Sequence, residues 1–251
     1  MKRGIVRISV QLIMLFSIIG CQSDTMEGGN KTTAAPTESI SAVTPTATIN
    51  PYIECAESIK KVIHPEWEVR YCENFNPASS AWKVGPDSYE NLTGERSISD
   101  GFYRWKYAAK AGKIIWENIP YQTSGDFEYT IYYRMDSKYR DSEFDLWFTS
   151  GENSSLLLGL DNSSSYSFQK YADGQWYQLI PWKPHSAIKK NNFNEVTIIR
   201  NGDNYSFYVN GQLINSKDTP ATGGSGFLFG IWLNKGVTAT FDIDTIVVRT
   251  P

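Results

Sequence analysis

Phe127-Glu128-Tyr129-Thr130-Ile131-Tyr132-Tyr133-Arg134 and, a few residues on, Glu143-Phe144-Asp145-Leu146-Trp147-Phe148 are the stretches that decide the fold. In the first, Phe127, Tyr129, Ile131 and Tyr133 alternate with Glu128, Thr130, Tyr132 and Arg134. In the second, Phe144, Leu146 and Phe148 alternate with Glu143, Asp145 and Trp147. Successive side chains of a β-strand point to opposite faces, so each run reads as a strand with one buried face.

The same period of two extends outward in both directions. Tyr103, Trp105 and Tyr107 precede these strands; Leu156-Leu158-Leu160, Tyr166-Phe168, Val196-Ile198, Phe207-Val209, Phe229-Ile231 and Ile246-Val248 follow them. Gly, Asn, Asp, Ser or Pro bound each run. Asp173-Gly174 and Asn210-Gly211 are hairpin signals, because a type I′ turn needs φ > 0 at both central residues. No amphipathic stretch of helical length interrupts the series; only Ala56 to Ile63, stopped by Pro65, reads as a short helix. The expectation is an all-β, two-sheet antiparallel sandwich.

The N-terminal fifth of the chain has a different composition. Met1 to Gly20 carries Lys2, Arg3 and Arg7 and then an apolar run too short to span a bilayer as a mature helix. Its end, Ile18-Ile19-Gly20-Cys21, resembles a bacterial lipoprotein signal. That resemblance implies cleavage before Cys21, acylation of its thiol, and a mature protein held by lipid outside a membrane, facing the periplasm or the exterior. Residues 21–51 hold ten Ser or Thr beyond Cys21, three Pro and no aromatic residue. Such a composition cannot bury enough apolar surface to offset chain entropy, and reads as a disordered linker. All eight Trp lie after it. The expected division is therefore a signal peptide (1–20), a lipidated Cys with its linker (21–51), a short extension (52–71) and the main domain (72–251).

The formal net charge of −3 suggests no nucleic-acid partner and no polybasic membrane patch. With Cys21 taken by lipid, Cys55 and Cys72 remain as a pair in an oxidising compartment, which predicts a disulfide tying 52–71 to the main domain; two separate buried thiols are the alternative. A monomer is expected.

Several segments resemble concanavalin A-like (laminin-G-like) jelly rolls. Asn194-Glu195-Val196-Thr197-Ile198-Ile199-Arg200-Asn201-Gly202 with Tyr205-Ser206-Phe207-Tyr208-Val209-Asn210-Gly211 looks like their paired hairpin. Asp100-Gly101-Phe102-Tyr103-Arg104-Trp105, Lys170-Tyr171-Ala172-Asp173-Gly174-Gln175-Trp176 and Phe241-Asp242-Ile243-Asp244-Thr245-Ile246-Val247-Val248 match exported bacterial members. The resemblance implies a jelly roll over about 72 to 250. Members bind glycans, hydrolyse them or do neither.

Retaining β-glucanases of this fold carry three carboxylates at i, i+2 and i+4 of one strand. The matching positions here are Glu143, Asp145 and Trp147, so the proton-donating acid is missing and no catalytic residue is assigned. Some jelly rolls of this type hold a structural calcium between the first and last strands, for which Glu73, Asp242 and Asp244 are the candidate oxygen ligands; no other cofactor is expected. The resemblance also implies a glycan groove on the concave outer face of one sheet. The strand phases point Tyr132, Trp147 and Trp232 outward, with Arg134, Glu143 and Asp145 as polar companions. Aromatic faces suit sugar C–H groups, and charged groups fix hydroxyls. Trp105, Trp176 and Trp182 read as packing residues. The expected function is non-catalytic binding of an extracellular carbohydrate. A glycan hydrolase of the same fold, of keto-disaccharide or glucanase type, and a protein-interaction or structural envelope lipoprotein are the alternatives.

Overall fold

The computed structural model describes residues 52–76, 82–137, 142–149, 154–220 and 225–251. Cys21, the signal peptide and the linker lie outside these residues. Among the described residues one short helix, α1 (Tyr52–Ala56), is followed by fifteen strands. They are β1 (Glu68–Glu73), β2 (Gly85–Tyr89), β3 (Leu92–Ser99), β4 (Phe102–Ala109), β5 (Lys113–Thr123), β6 (Phe127–Ser137), β7 (Ser142–Thr149) and β8 (Ser155–Asp161). The rest are β9 (Ser165–Ala172), β10 (Gln175–Pro184), β11 (Phe193–Asn201), β12 (Asn204–Val209), β13 (Gln212–Asp218), β14 (Ser225–Leu233) and β15 (Thr238–Thr250).

Two antiparallel sheets form a jelly-roll sandwich. The nine-stranded sheet runs β13-β12-β11-β6-β15-β4-β3-β2, with β1 also paired to β15. The six-stranded sheet runs β10-β9-β8-β7-β14-β5. The hairpin signals are realised: Asp173 and Gly174 have φ of 53° and 77°, and Asn210 and Gly211 have 52° and 77°. The alternating apolar residues meet between the sheets. Phe229 lies centrally there, 5.3 Å from the Trp105 ring and edge-on to Tyr103 at 6.4 Å. Trp105 is fully buried, as its phase implied.

The helix is shorter and earlier than Ala56 to Ile63. After it, Glu57, Ser58 and Ile59 make only i→i−3 bonds to the preceding turn, and from Lys60 on the backbone turns to the sheet. Lys60 donates its backbone N–H to Glu195 (3.0 Å), and His64 donates its own to Glu128 (2.8 Å). Residues 52–67 thus form a strap on the outer face of the nine-stranded sheet. Ala56 and Ile59 pack there on Cys72 and Val247. The Cys55–Cys72 disulfide is present and closes a loop 17 residues long. In the chain-entropy picture that closure contributes about 3 kcal/mol.

A charged cluster is buried between the sheets at their β2–β3–β4 and β5 margin. Arg96, 3% exposed, stacks over the Trp105 ring at 4.2 Å. Its Nε lies 2.9 Å from Asp87 Oδ2, its Nη1 pairs with Glu117, and Nε donates to the Tyr107 hydroxyl at 2.8 Å. Tyr107 donates in turn to Asp87 (2.5 Å). Burial opposes the charge of Asp87, but Lys83, Tyr107 and Arg96 outweigh it and hold the carboxyl below its ordinary range. Burial wins at Glu117, whose carboxyl is raised although Arg96 pulls it down, and at Tyr103, whose hydroxyl is pushed up to about 12.

Candidate functional site

The outer face of the six-stranded sheet follows row by row from the pairing register. Phe144, Leu146 and Phe148 of β7 are fully buried toward the other sheet, so Glu143, Asp145, Trp147 and Thr149 face outward. On β14 the outward set in register with them is Trp232, Gly230, Leu228 and Gly226. On β8 it is Asp161, Gly159, Leu157 and Ser155. One row therefore reads Ile114, Trp232, Glu143, Asp161; the next reads Trp116, Gly230, Asp145, Gly159, Ser167. The third reads Asn118, Leu228, Trp147, Leu157, Gln169, Gln178.

Five indoles gather on this face. Trp147 stacks with Trp116 at 6.1 Å and meets Trp176 edge-on at 5.5 Å. Trp176 continues to Tyr171 at 5.2 Å. Trp182 reaches across from β10: a Cβ on Gly159 would stand 3.2 Å from its ring and 3.0 Å from Asp145 Oδ1. Glycine at 159 is thus what lets Trp182 approach Asp145. Trp232 borders the cluster near Gly112, where a Cβ would stand 3.1 Å from its ring. All five indoles are half-buried, so each keeps some ring area toward solvent.

Beneath the rings the floor is closed. Asp145 is 1% exposed, Leu157 and Gln169 are 4% exposed, and Ser167 is fully buried. Gln169 donates to the Ser167 hydroxyl at 3.0 Å. Asp145 is therefore a floor residue rather than an open contact, and Glu143 is the half-exposed carboxylate of the strand. The Trp147 Nε1 is buried with no hydrogen-bond partner among the described residues.

Of the six residues expected on one face, the structure brings together Glu143, Asp145, Trp147 and Trp232 and separates Tyr132 and Arg134. The latter two lie on β6, which pairs with β11 and β15 in the nine-stranded sheet. Their side chains face outward from that sheet, on the far side of the molecule. Trp176 and Trp182 were read as packing residues, yet both stand on the indole-bearing face. Trp116 was missed. Its signal was the alternation Ile114, Trp116, Asn118 against Ile115, Glu117, Ile119 in Lys113 to Thr123.

The calcium expectation is also corrected. Among the described residues no group of three or more His, Cys, Asp or Glu is placed to hold a metal ion. Glu73 instead accepts from the Phe75 N–H (2.9 Å) and the Trp82 indole N–H (2.8 Å). Both oxygens of Asp242 are occupied, by Arg104 (2.6 Å) and Arg134 (2.5 Å). Asp244 accepts from the Thr245 hydroxyl (2.7 Å), and burial raises its carboxyl.

Solved structures with this fold include a GlcNAcα1-4Gal-releasing endo-β-galactosidase from Clostridium perfringens, at 12% identity and a TM-score of 0.56. That match covers 74% of this chain and 63% of the galactosidase chain, so the chain spans less than two thirds of that protein. A structure from work on endo-acting O-glycanases that members of the human gut microbiota express to initiate mucin breakdown matches at 10% identity and a TM-score of 0.54, covering 72% of this chain and 99% of the other. A Bacillus licheniformis β-glucanase matches at 13% identity and a TM-score of 0.52, covering 72% and 98%. At such identities the likeness is one of fold. No curated protein matches the sequence. The family model described as the concanavalin A-like lectin/glucanases superfamily matches residues 110–246, more than half of the 251. With two antiparallel sheets in the same jelly-roll arrangement, the chain belongs to the concanavalin A-like lectin/glucanases superfamily.

Proposed function

We propose that the outer face of the six-stranded sheet binds an extracellular carbohydrate without cleaving it. The observation that carries this reading is the gathering of Trp116, Trp147, Trp176, Trp182 and Trp232 on one face, none of them fully buried. A core has no use for rings on its solvent side, and a half-exposed indole loses apolar area to water that a sugar's C–H face would cover. The half-exposed Glu143 supplies an acceptor for hydroxyls beside them.

The glycan-hydrolase reading has one observation in its favour. Glu143 lies directly opposite Asp161 across β7 and β8, and directly opposed residues have Cβ atoms about 5 Å apart. That suits the carboxyl spacing of a retaining enzyme. Asp161, however, is engaged by its own turn: Oδ1 accepts from the Ser163 and Ser165 N–H groups, each at 2.8 Å, and Oδ2 from the Ser163 hydroxyl at 2.8 Å. Trp147 occupies the third acid position. Binding without cleavage is the reading that uses the face as it stands.

The test is a glycan-array screen of the protein with a reducing-end assay run on every hit. Saturable binding with no new reducing ends is the expected result. Release of reducing ends would move the protein to the hydrolases. An array with no hits, together with tryptophan fluorescence unmoved by sugars, would leave a protein-contact or structural role.

We further propose, from the lipoprotein-like signal, that this activity is held on the outer side of a membrane, with Cys21 acylated and residues 22–51 as a tether reaching roughly 30 Å. An alkyne-palmitate label is expected on the protein in its native host and is expected to vanish in Cys21→Ser. A label that persists in that variant would refute the anchor.

A further inference from the structure

The two residues parted from the indole face belong to an arrangement of their own. On the outer face of the nine-stranded sheet, Arg134 of β6 and Arg104 of β4 flank Asp242 of β15 in register. Arg104 Nε donates to Asp242 Oδ1 at 2.6 Å, and Arg134 Nη2 donates to Oδ2 at 2.5 Å. The carboxylate is 1% exposed, whereas the two arginine side chains are 35% and 39% exposed. One buried negative charge therefore holds two half-exposed cations. Neither guanidinium has another hydrogen bond among the described residues. Asp242 has both oxygens engaged, so the centre of this patch offers N–H donors; the exposed Asp100 carboxylate acts on Arg104 from outside that centre. Oxygens that accept several bonds in one plane are what such a pair can receive: a carboxylate or a sulfate ester.

A row of rings walls the pair. Phe193 stacks on Tyr132 at 4.9 Å and on Phe102 at 5.6 Å, and the Arg134 guanidinium carbon lies 5.0 Å from the Phe193 centroid. All three rings are half-buried. Guanidinium over an aromatic ring fixes the fork while leaving its outer edge open. Apolar ring edges beside an anion receptor suit a ligand that joins a C–H-bearing ring to an acidic group.

We propose that this patch is a second ligand site, on the face opposite the indoles, for an acidic sugar, with Arg104 and Arg134 receiving its carboxylate or sulfate and Phe102 and Phe193 contacting its ring. Two sites on opposite faces of one tethered domain would let a single molecule bridge a neutral and an acidic glycan.

The test titrates the full-length protein, by calorimetry, with three probes. They are a tetrasaccharide of alternating glucuronic acid and N-acetylglucosamine, its carboxyl-reduced neutral form, and that neutral form carrying O-sulfate. At least one charged probe is expected to bind about tenfold or more tightly than the neutral one, and less tightly as salt rises. Which charged probe binds distinguishes carboxylate from sulfate. Arg104→Lys keeps a cation on Asp242 but loses the fork, and Phe193→Leu keeps apolar volume but loses the ring. Each is expected to weaken the charged probe about tenfold while remaining folded by circular dichroism. Trp147→Ala is expected to leave it unchanged. Three results would overturn the proposal: equal binding of charged and neutral probes, charged-probe binding that survives both patch variants, or no binding of either charged probe.

Discussion

Arg96→Met is expected to cost about 3–5 kcal/mol of folding stability, the range for removing one partner from a buried charge cluster. Methionine retains much of the apolar stem over Trp105, so lost packing is a minor part of the change. The two carboxylates left behind account for the rest. Asp87 keeps the Tyr107 hydroxyl and the exposed Lys83, but among the described residues Glu117 keeps a Tyr103 hydroxyl 3.5 Å away, whose proton is directed to the Lys83 carbonyl at 2.7 Å, and the more distant charge of Lys83. Urea unfolding monitored by fluorescence measures the loss. A variant that stays within about 1 kcal/mol of the parent would show that water reaches both acids and that the cluster is not sealed. The triple variant Arg96→Met, Asp87→Asn, Glu117→Gln is expected to recover much of the loss, because it removes the stranded charges along with their partner.

The pH dependence of the same variant has a definite sign. In the parent, Asp87 is depressed, so its contribution is complete above the unfolded carboxylate value of about 4 and is lost as pH falls through the lower folded value. Glu117 is raised, so its contribution is complete below its unfolded value and is lost as pH rises through the higher folded one. At neutral pH the charge of Glu117 is tolerated because Arg96 is beside it. Without Arg96 both carboxyls move upward and take up protons sooner. The deficit of Arg96→Met relative to the parent is therefore largest at neutral pH and shrinks as the pH approaches about 4.

The strands themselves were legible because their apolar residues alternate with period two, and each phase assigned to Phe127–Arg134 and Glu143–Phe148 agrees with the structure. The assignment of strands to sheets was not. Strand phase alone grouped Tyr132 and Arg134 with Trp147, but β6 and β7, though consecutive, lie in different sheets. In the jelly roll the chain crosses from one sheet to the other between them. Nothing in either strand's own residues records that crossing, because an outward residue on one sheet and an outward residue on the other carry the same local pattern. The indole cluster was hidden for a related reason. Trp182 belongs with Asp145 only because β10 is bulged between Gln178 and Lys183 and because position 159 is glycine. Both are long-range facts. The helix was overestimated because side chains of the sheet, Glu195 and Glu128, capture the backbone N–H groups of Lys60 and His64. Local propensity does not contain them.

Trp147→Ala is expected to weaken glycan binding about 30-fold or more, the effect of removing a central aromatic anchor worth at least about 2 kcal/mol. Two losses combine. The indole's own contact with the sugar goes, and so does its support for its neighbours, since Trp116 stacks on it and Trp176 meets it edge-on. Trp116 stands on an edge strand, and Trp176 opens β10 at the opposite edge. Trp147, on an inner strand, links the aromatic residues of the two margins. Trp147→Phe restores a ring at the same Cβ and is expected to recover most of the affinity, which separates loss of the platform from a general loosening of β7. Trp232→Ala, at the border of the cluster, is expected to fall between the two. Calorimetric titration with the best hit from the glycan screen gives all three values. Unchanged affinity in Trp147→Ala, with affinity lost in Phe193→Leu, would transfer sugar recognition to the nine-stranded sheet. The indoles would then be a covering for the floor of this face, where Asp145 is 1% exposed and Trp182 stands beside Gly159 next to it. That is the bland alternative the variant must exclude: rings assembled to seal that floor call for no partner, whereas rings assembled to receive a sugar should lose it when the middle one is removed.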